Sequence, residues 1–128
     1  MPATGVGAVV LNVTSTGSTV PSFVTVWPSG VARPNASALN TEPGQDTPNL
    51  VVVKVGDEGR VSLYNNAGTT HLVADVVGWF PSGSGFVGVT PSRLLDTRSG
   101  LVPAGRRSTV TVDVAGRAER DAEVVGPR

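Results

Sequence analysis

HLVADVVGWFPSGSGFVGVTPSRLLDTR, residues 71–98, is the stretch that decides the fold. Leu72, Ala74 and Val76 alternate with His71, Val73 and Asp75, the period of two that a half-buried strand requires. Gly78 falls inside the strand pattern and predicts a bulge or bend there. Gly78-Trp79-Phe80-Pro81 breaks the run, PSGSG (81–85) makes a corner, and residues 86–89 and 92–96 extend again. No helical period intervenes. The stretch reads as the folded edge of an all-β module and not as an active-site signature.

Working outward, Leu50 to Val55 is a nearly continuous β-branched run, which predicts a central strand covered on both faces. Gly56-Asp57-Glu58-Gly59 turns it into Arg60–Tyr64, and Asn65-Asn66-Ala67-Gly68 turns again into residues 70–77. Asn and Gly tolerate the positive φ of hairpin turns. Residues 50–77 therefore predict a three-stranded antiparallel meander. Upstream, Val9, Leu11 and Val13 define one strand, Phe23–Trp27 a second, and residues 36–40 a weaker third. Downstream, STVTVDV (108–114) alternates cleanly, and a charged, Ala-rich tail follows Gly116. Residues 1–116 are expected to form one domain, with 117–128 a tail or linker.

Composition narrows the class. Aromatics are only 5% of 128 residues, so Val, Leu and Ala must fill the core. Sixteen glycines and ten prolines punctuate apolar runs instead of forming a low-complexity tract. Ten basic residues balance ten acidic ones, which leaves no basic stripe for nucleic acid. Nine of the ten are arginine, Lys54 being the exception, a bias that points to a GC-rich genome. The absence of cysteine excludes disulfides, thiolate metal sites and a Cys nucleophile. No apolar run approaches the roughly 20 residues of a membrane helix, and no membrane insertion is expected. MPATGVGAVV has no basic region, so no signal peptide is expected in it; export would need a segment upstream. VVLNV (9–13), LVADV (72–76) and VTVDV (110–114) echo one another at uneven spacing, which argues against a solenoid or propeller.

Several segments in order resemble a domain found, often in tandem, in secreted and cell-surface proteins of actinobacteria. They are AVVLNVT (8–14), FVTVWPSG (23–30), residues 36–80 ending in HLVADVVGWF, and FVGVTPSRLLDTR (86–98). The resemblance implies an accessory extracellular module, secreted or at the cell surface. In that family the unit usually begins with the VTPSRLLDTR-type segment and ends with DVVGWF. Here the order is rotated, and joining Arg117 back to Pro2 would restore it. The chain is therefore read as a permuted unit or as parts of two adjacent repeats.

Candidate chemistry is sparse. His71 is the sole histidine, with Asp75 its nearest carboxylate, four positions away on the same strand face and out of contact. No G-x-S-x-G elbow accompanies it, so no catalytic residue is assigned and a small hydrolase is the weakest reading. No dense acidic array supports calcium, and no metal or other cofactor is expected. Arg93, Asp96 and Arg98 form the one polar cluster; Asp96 and Arg98 share a strand face, where bidentate pairing is favoured. The cluster reads as a structural salt bridge or as a polar platform for a sugar hydroxyl or partner chain. Trp27, Tyr64 and Trp79 are the candidate stacking surfaces for a carbohydrate ring.

The expected fold is all-β, an antiparallel β-sandwich of jelly-roll type, with a closed β-barrel as the alternative. Val9, Leu11, Val13, Val24, Val26, Leu50, Val52, Leu63, Leu72, Ala74 and Val76 are the expected core. The expected function is a non-catalytic module that displays, spaces or attaches neighbouring domains at the bacterial surface. The alternative is a carbohydrate-binding module with Trp27, Tyr64, Trp79, Arg93, Asp96 and Arg98 as its ligand site. The expected partners are cell-wall or extracellular polysaccharide, or neighbouring copies joined through edge strands as in a self-assembling subunit.

Overall fold

The computed structural model describes residues 1–83, 85–98 and 104–117. Among the described residues eight strands make two open antiparallel sheets: β1 (Val6–Thr16), β2 (Ser22–Pro28), β3 (Leu39–Thr41), β4 (Thr47–Lys54), β5 (Arg60–Asn65), β6 (His71–Pro81), β7 (Val87–Asp96) and β8 (Ser108–Asp113). One sheet has the order β4-β1-β6-β7 and the other β3-β2-β5-β8. The fold is a sandwich and not a closed barrel.

Its topology has a simple origin. With β7 counted as the first strand and β8 followed by β1, the two orders read 1-8-3-6 and 2-7-4-5. That is the pairing of a jelly roll, two Greek keys wrapped on each other. The chain therefore traces a jelly roll entered two strands late. The segment after β8 lies against the segment before β1, since the Gly116 N–H donates to the Pro2 carbonyl at 2.8 Å.

Alternation sets the core. Val9, Leu11 and Val13 on β1, Leu72, Ala74 and Val76 on β6, Val24 on β2 and Val61 and Leu63 on β5 all point inward and are buried, with Leu39, Val53, Val112 and Val114 completing the layer. Val26 and Trp79 are partly buried and pack against it. Neither sheet could shield these branched faces alone, so the two stack face to face.

Three expectations need correction. Residues 50–77 are not a meander: β4 pairs with β1, β5 with β2 and β8, and β6 with β1 and β7. Each turn carries the chain across to the opposite sheet, and turn residues report a reversal without saying in which sheet it ends. β4 is an edge strand and not a central one, and Leu50 and Val52 lie outward at 59% and 62% exposure. Val51 and Val53 face the core instead. The run LVVVKV has no polar alternation, so its facing parity is invisible until β1 fixes the register. The weak strand at 36–40 is the three-residue β3, and residues 86–89 and 92–96 merge into β7. Of the tail, 118–128 lies outside the described residues, as does Ser84 in the corner at 81–85.

The bulge expected near Gly78 is present. β1 pairs Val10 with Gly78 and Leu11 with Val76, so Val77 is the extra residue against β1; on the other side β7 carries residues 89–91 between Gly88 and Ser92, opposite Val77 alone.

Candidate functional site

The outer face of the β4-β1-β6-β7 sheet gathers the chemistry. Trp79 packs on the core, so alternation sends Phe80 outward, opposite Ala8. Phe86 folds back to meet it, with ring centroids 5.0 Å apart. Its ring occupies the space above Gly78, where an added Cβ would come within 2.3 Å of it. Phe86 remains 54% exposed. The glycine thus makes the seat for an aromatic pair on the outer sheet face.

Beside this pair a second bulge builds an ion ladder. β6 pairs Ala74 with Leu95 and Asp75 with Arg93, leaving Leu94 as the extra residue. Leu94 and Leu95 are both buried, so Arg93 and Asp96, three positions apart, stand on one face. The Arg93 guanidinium donates through Nε to Asp75 and through Nη1 to Asp96 Oδ2 at 3.0 Å. Arg98 clamps Asp96 from the other side, with Nε and Nη2 each 2.9 Å from a carboxylate oxygen and its backbone N–H at 3.0 Å. This fork-to-fork geometry is the strongest form of the pair.

The ladder shifts the charges it holds. Arg98's hydrogen bonds, assisted by the charges of Arg98 and Arg93, hold the Asp96 carboxyl well below the usual range, against partial burial. The Arg93 and Arg98 guanidiniums are raised chiefly by their side-chain bonds to Asp75 and Asp96. A depressed folded-state value adds stability that is complete above the ordinary Asp pKa of about 3.9 and drains away as pH falls below it. Asp96→Asn should therefore lower the melting temperature most near neutral pH, the gap to wild type closing as the solution is acidified. A gap unchanged down the acid limb would refute the ladder's role. The arginines are half exposed, so the effect is modest.

The other sheet treats its aromatics differently. Residues 30–37 cross its outer face as an exposed strap. Trp27 Nε1 donates to the Val31 carbonyl at 2.9 Å, and Thr25 Oγ1 to the Ala36 carbonyl at 2.6 Å. The Arg33 guanidinium lies 3.7 Å from the centre of the Tyr64 ring. Trp27 is 8% exposed and Tyr64 is buried. Neither has an open ring face for a sugar, because the strap occupies it.

His71 is accounted for by Thr97, whose hydroxyl lies 2.9 Å from Nδ1 and also accepts the Leu72 N–H. Asp75, the carboxylate a triad would need, is bound by Arg93. Among the described residues no three His, Asp or Glu side chains gather as a metal site. Of the six candidate ligand residues, the fold brings Arg93, Asp96 and Arg98 together and leaves Trp27 and Tyr64 beneath the strap; Trp79 faces the core. Sequence reading missed Phe86 and the joining role of Asp75. The available signal was Gly78: a glycine mid-strand, eight residues before a phenylalanine, marks a close approach. No family model, no characterised protein and no solved structure matches the chain.

Proposed function

We propose that this domain is a non-catalytic accessory module that attaches at the bacterial cell surface, and that it does so through the outer face of the β4-β1-β6-β7 sheet. The observation that carries the reading is the Phe80–Phe86 pair, its Phe86 ring exposed and Phe80 half-buried beneath it, on the same sheet face as the Asp75–Arg93–Asp96–Arg98 ladder. An exposed ring such as Phe86 serves no purpose in the core, and apolar exposure rimmed by polar groups marks interaction surfaces. The resemblance noted above supports an extracellular setting. The strand order fits the resembling unit, since it becomes that of an ordinary jelly roll when opened between β6 and β7, where that unit would begin.

Polysaccharide is the ligand class this face suits best. The ring of Phe86 offers an apolar surface for the C–H face of a sugar, and the ladder offers donors and acceptors for its hydroxyls. The test is retention of the domain on insoluble polysaccharides and on purified actinobacterial cell walls. Wild type is expected to be retained. Phe86→Ala should flow through with an unchanged melting temperature, because that ring contributes little to the core. Trp79→Ala, which removes core packing, should lose stability before it loses binding. Flow-through of folded wild type on every matrix would sink the attachment reading.

A further inference from the structure

β4 has an open edge with an unusual composition. The Val55 N–H donates to the Gly7 carbonyl, and the β1–β4 register continues in step through Val9↔Val53 and Leu11↔Val51. In an antiparallel ladder the hydrogen-bonded pairs alternate. Val51 and Val53 therefore turn their backbone groups to β1, while Leu50, Val52 and Lys54 turn theirs to the open side. Pro48 has the same parity, so its missing N–H also faces that side, where a strand proline belongs. The side chains of Leu50 and Val52 stand outward, exposed. A free edge carrying exposed branched residues is what folded proteins usually avoid.

Next to this edge lies a groove of about 320 Å³, lined by Thr25, Val26, Pro34, Ala36, Asn49 and Val51 among others. It exists because β3 is three residues long and covers β2 only from Ser22 to Val24. Asn49 Nδ2 donates to the Ala38 carbonyl across its floor at 2.7 Å. The outer edge of β4 thus borders a groove and, among the described residues, is not paired with a neighbouring strand.

The geometry points to β4 of a second copy as the neighbour of this edge, joined about a two-fold axis at Leu50. Charge selects the register. Pairing must match residues of even number, since these carry the free groups. An axis at Val52 would set Lys54 against Leu50, and an axis at Val51 would set it against Pro48. With the axis at Leu50, Lys54 of each copy lies opposite Asp46 of the other, and Val52 lies opposite Pro48. Asp46 is exposed, shares the outward parity, and uses Oδ1 to accept from Thr16 at 2.5 Å. Its charge also reaches Arg98. Lys54 makes no ion pair among the described residues. The two four-stranded sheets become one of eight strands, with both attachment faces on the same side, an arrangement that multiplies a weak surface affinity.

The test is sedimentation equilibrium of the full chain over a concentration series, with amide exchange read on the same samples. The mass should rise with concentration toward twice 13.0 kDa, and the amides of Leu50, Val52 and Lys54 should slow only as it rises. Leu50→Asp, which sets two carboxylates against each other on the axis, should stay monomeric with unaltered circular dichroism. Lys54→Asp should weaken the dimer by roughly tenfold, and Asp46→Lys added to it should restore association. A monomer at every concentration would overturn the inference. So would slow exchange of these amides in the monomer, which would mean that the residues after Arg117 or a foreign peptide fill the edge. A dimer indifferent to Leu50→Asp would overturn it too.

Discussion

Asn65→Ala should cost about 3 kcal/mol of folding stability, although the residue touches no part of the proposed binding face. Asn65 sits at the end of β5 with no exposure to solvent. Its amide nitrogen donates to the carbonyls of Gly68 (3.0 Å), Ala104 (3.1 Å) and Gly105 (3.3 Å). Its oxygen accepts from Ser22 at 3.0 Å, and that hydroxyl in turn accepts the Ala67 N–H. One side chain thereby ties the β5–β6 turn, the start of β2 and the approach to β8. A net hydrogen bond is worth about 1 kcal/mol, and each buried partner left unsatisfied costs about 1–3 kcal/mol. Two lost donors facing buried carbonyls bring the total to that figure, a drop in melting temperature of about 10 °C. Asn65→Asp should be worse, because a carboxylate would face three carbonyl oxygens with no donor to offer. Urea unfolding of both variants checks this. A cost below about 1 kcal/mol for Asn65→Ala, or an Asp variant no worse than Ala, would show that the clasp is incidental.

Why was so much of the fold legible, and the site so little? The strands read correctly wherever apolar and polar residues alternate, as in VVLNV, LVADV and VTVDV. Side-chain parity is a local property, and the sequence writes it directly. Pairing is not local. The meander over 50–77 failed because hairpin chemistry and a crossing between sheets use the same Gly, Asn and Asp residues. Leu50 and Val52 were misplaced because an unbroken β-branched run carries no parity. The ladder was half visible: Asp96 and Arg98 share a face by simple alternation. Arg93 joins them only because Leu94 is bulged, and Asp75 only because β6 lies alongside. Trp27 and Tyr64 stand as candidate platforms in the sequence because nothing in it announces that residues 30–37 lie over them.

The crossing that the meander reading missed is also where a single methyl group should do most damage. Gly56 links the end of β4 to the 3₁₀ turn at Asp57–Gly59 and so carries the chain from one sheet to the other. A Cβ placed there would lie 2.2 Å from the Ser29 carbonyl oxygen and 2.3 Å from its nitrogen. Both are backbone atoms held in place. Ser29 N–H and Gly56 N–H donate to the Arg60 carbonyl at 3.2 and 2.9 Å, and Asp57 N–H donates to Ser29 at 2.9 Å. No rotamer change relieves such an overlap, so the turn must move away from β2 and these bonds must lengthen. Overpacking alone costs about 1–3 kcal/mol, and the strained bonds place Gly56→Ala at or above the top of that range. Gly78→Ala offers the instructive contrast. Its two nearest atoms belong to the Phe86 ring, which can swing aside, and the Val87 carbonyl oxygen at 3.1 Å needs to give only slightly, so most of the stability should hold while retention on polysaccharide falls. Gly83→Ala, with nothing within 4 Å, is the neutral control. Melting curves of the three variants should order Gly56 far below Gly78 and Gly83. If Gly56→Ala melts with the other two, the sheets are not coupled through Ser29, and the crossing is held by something other than this close approach.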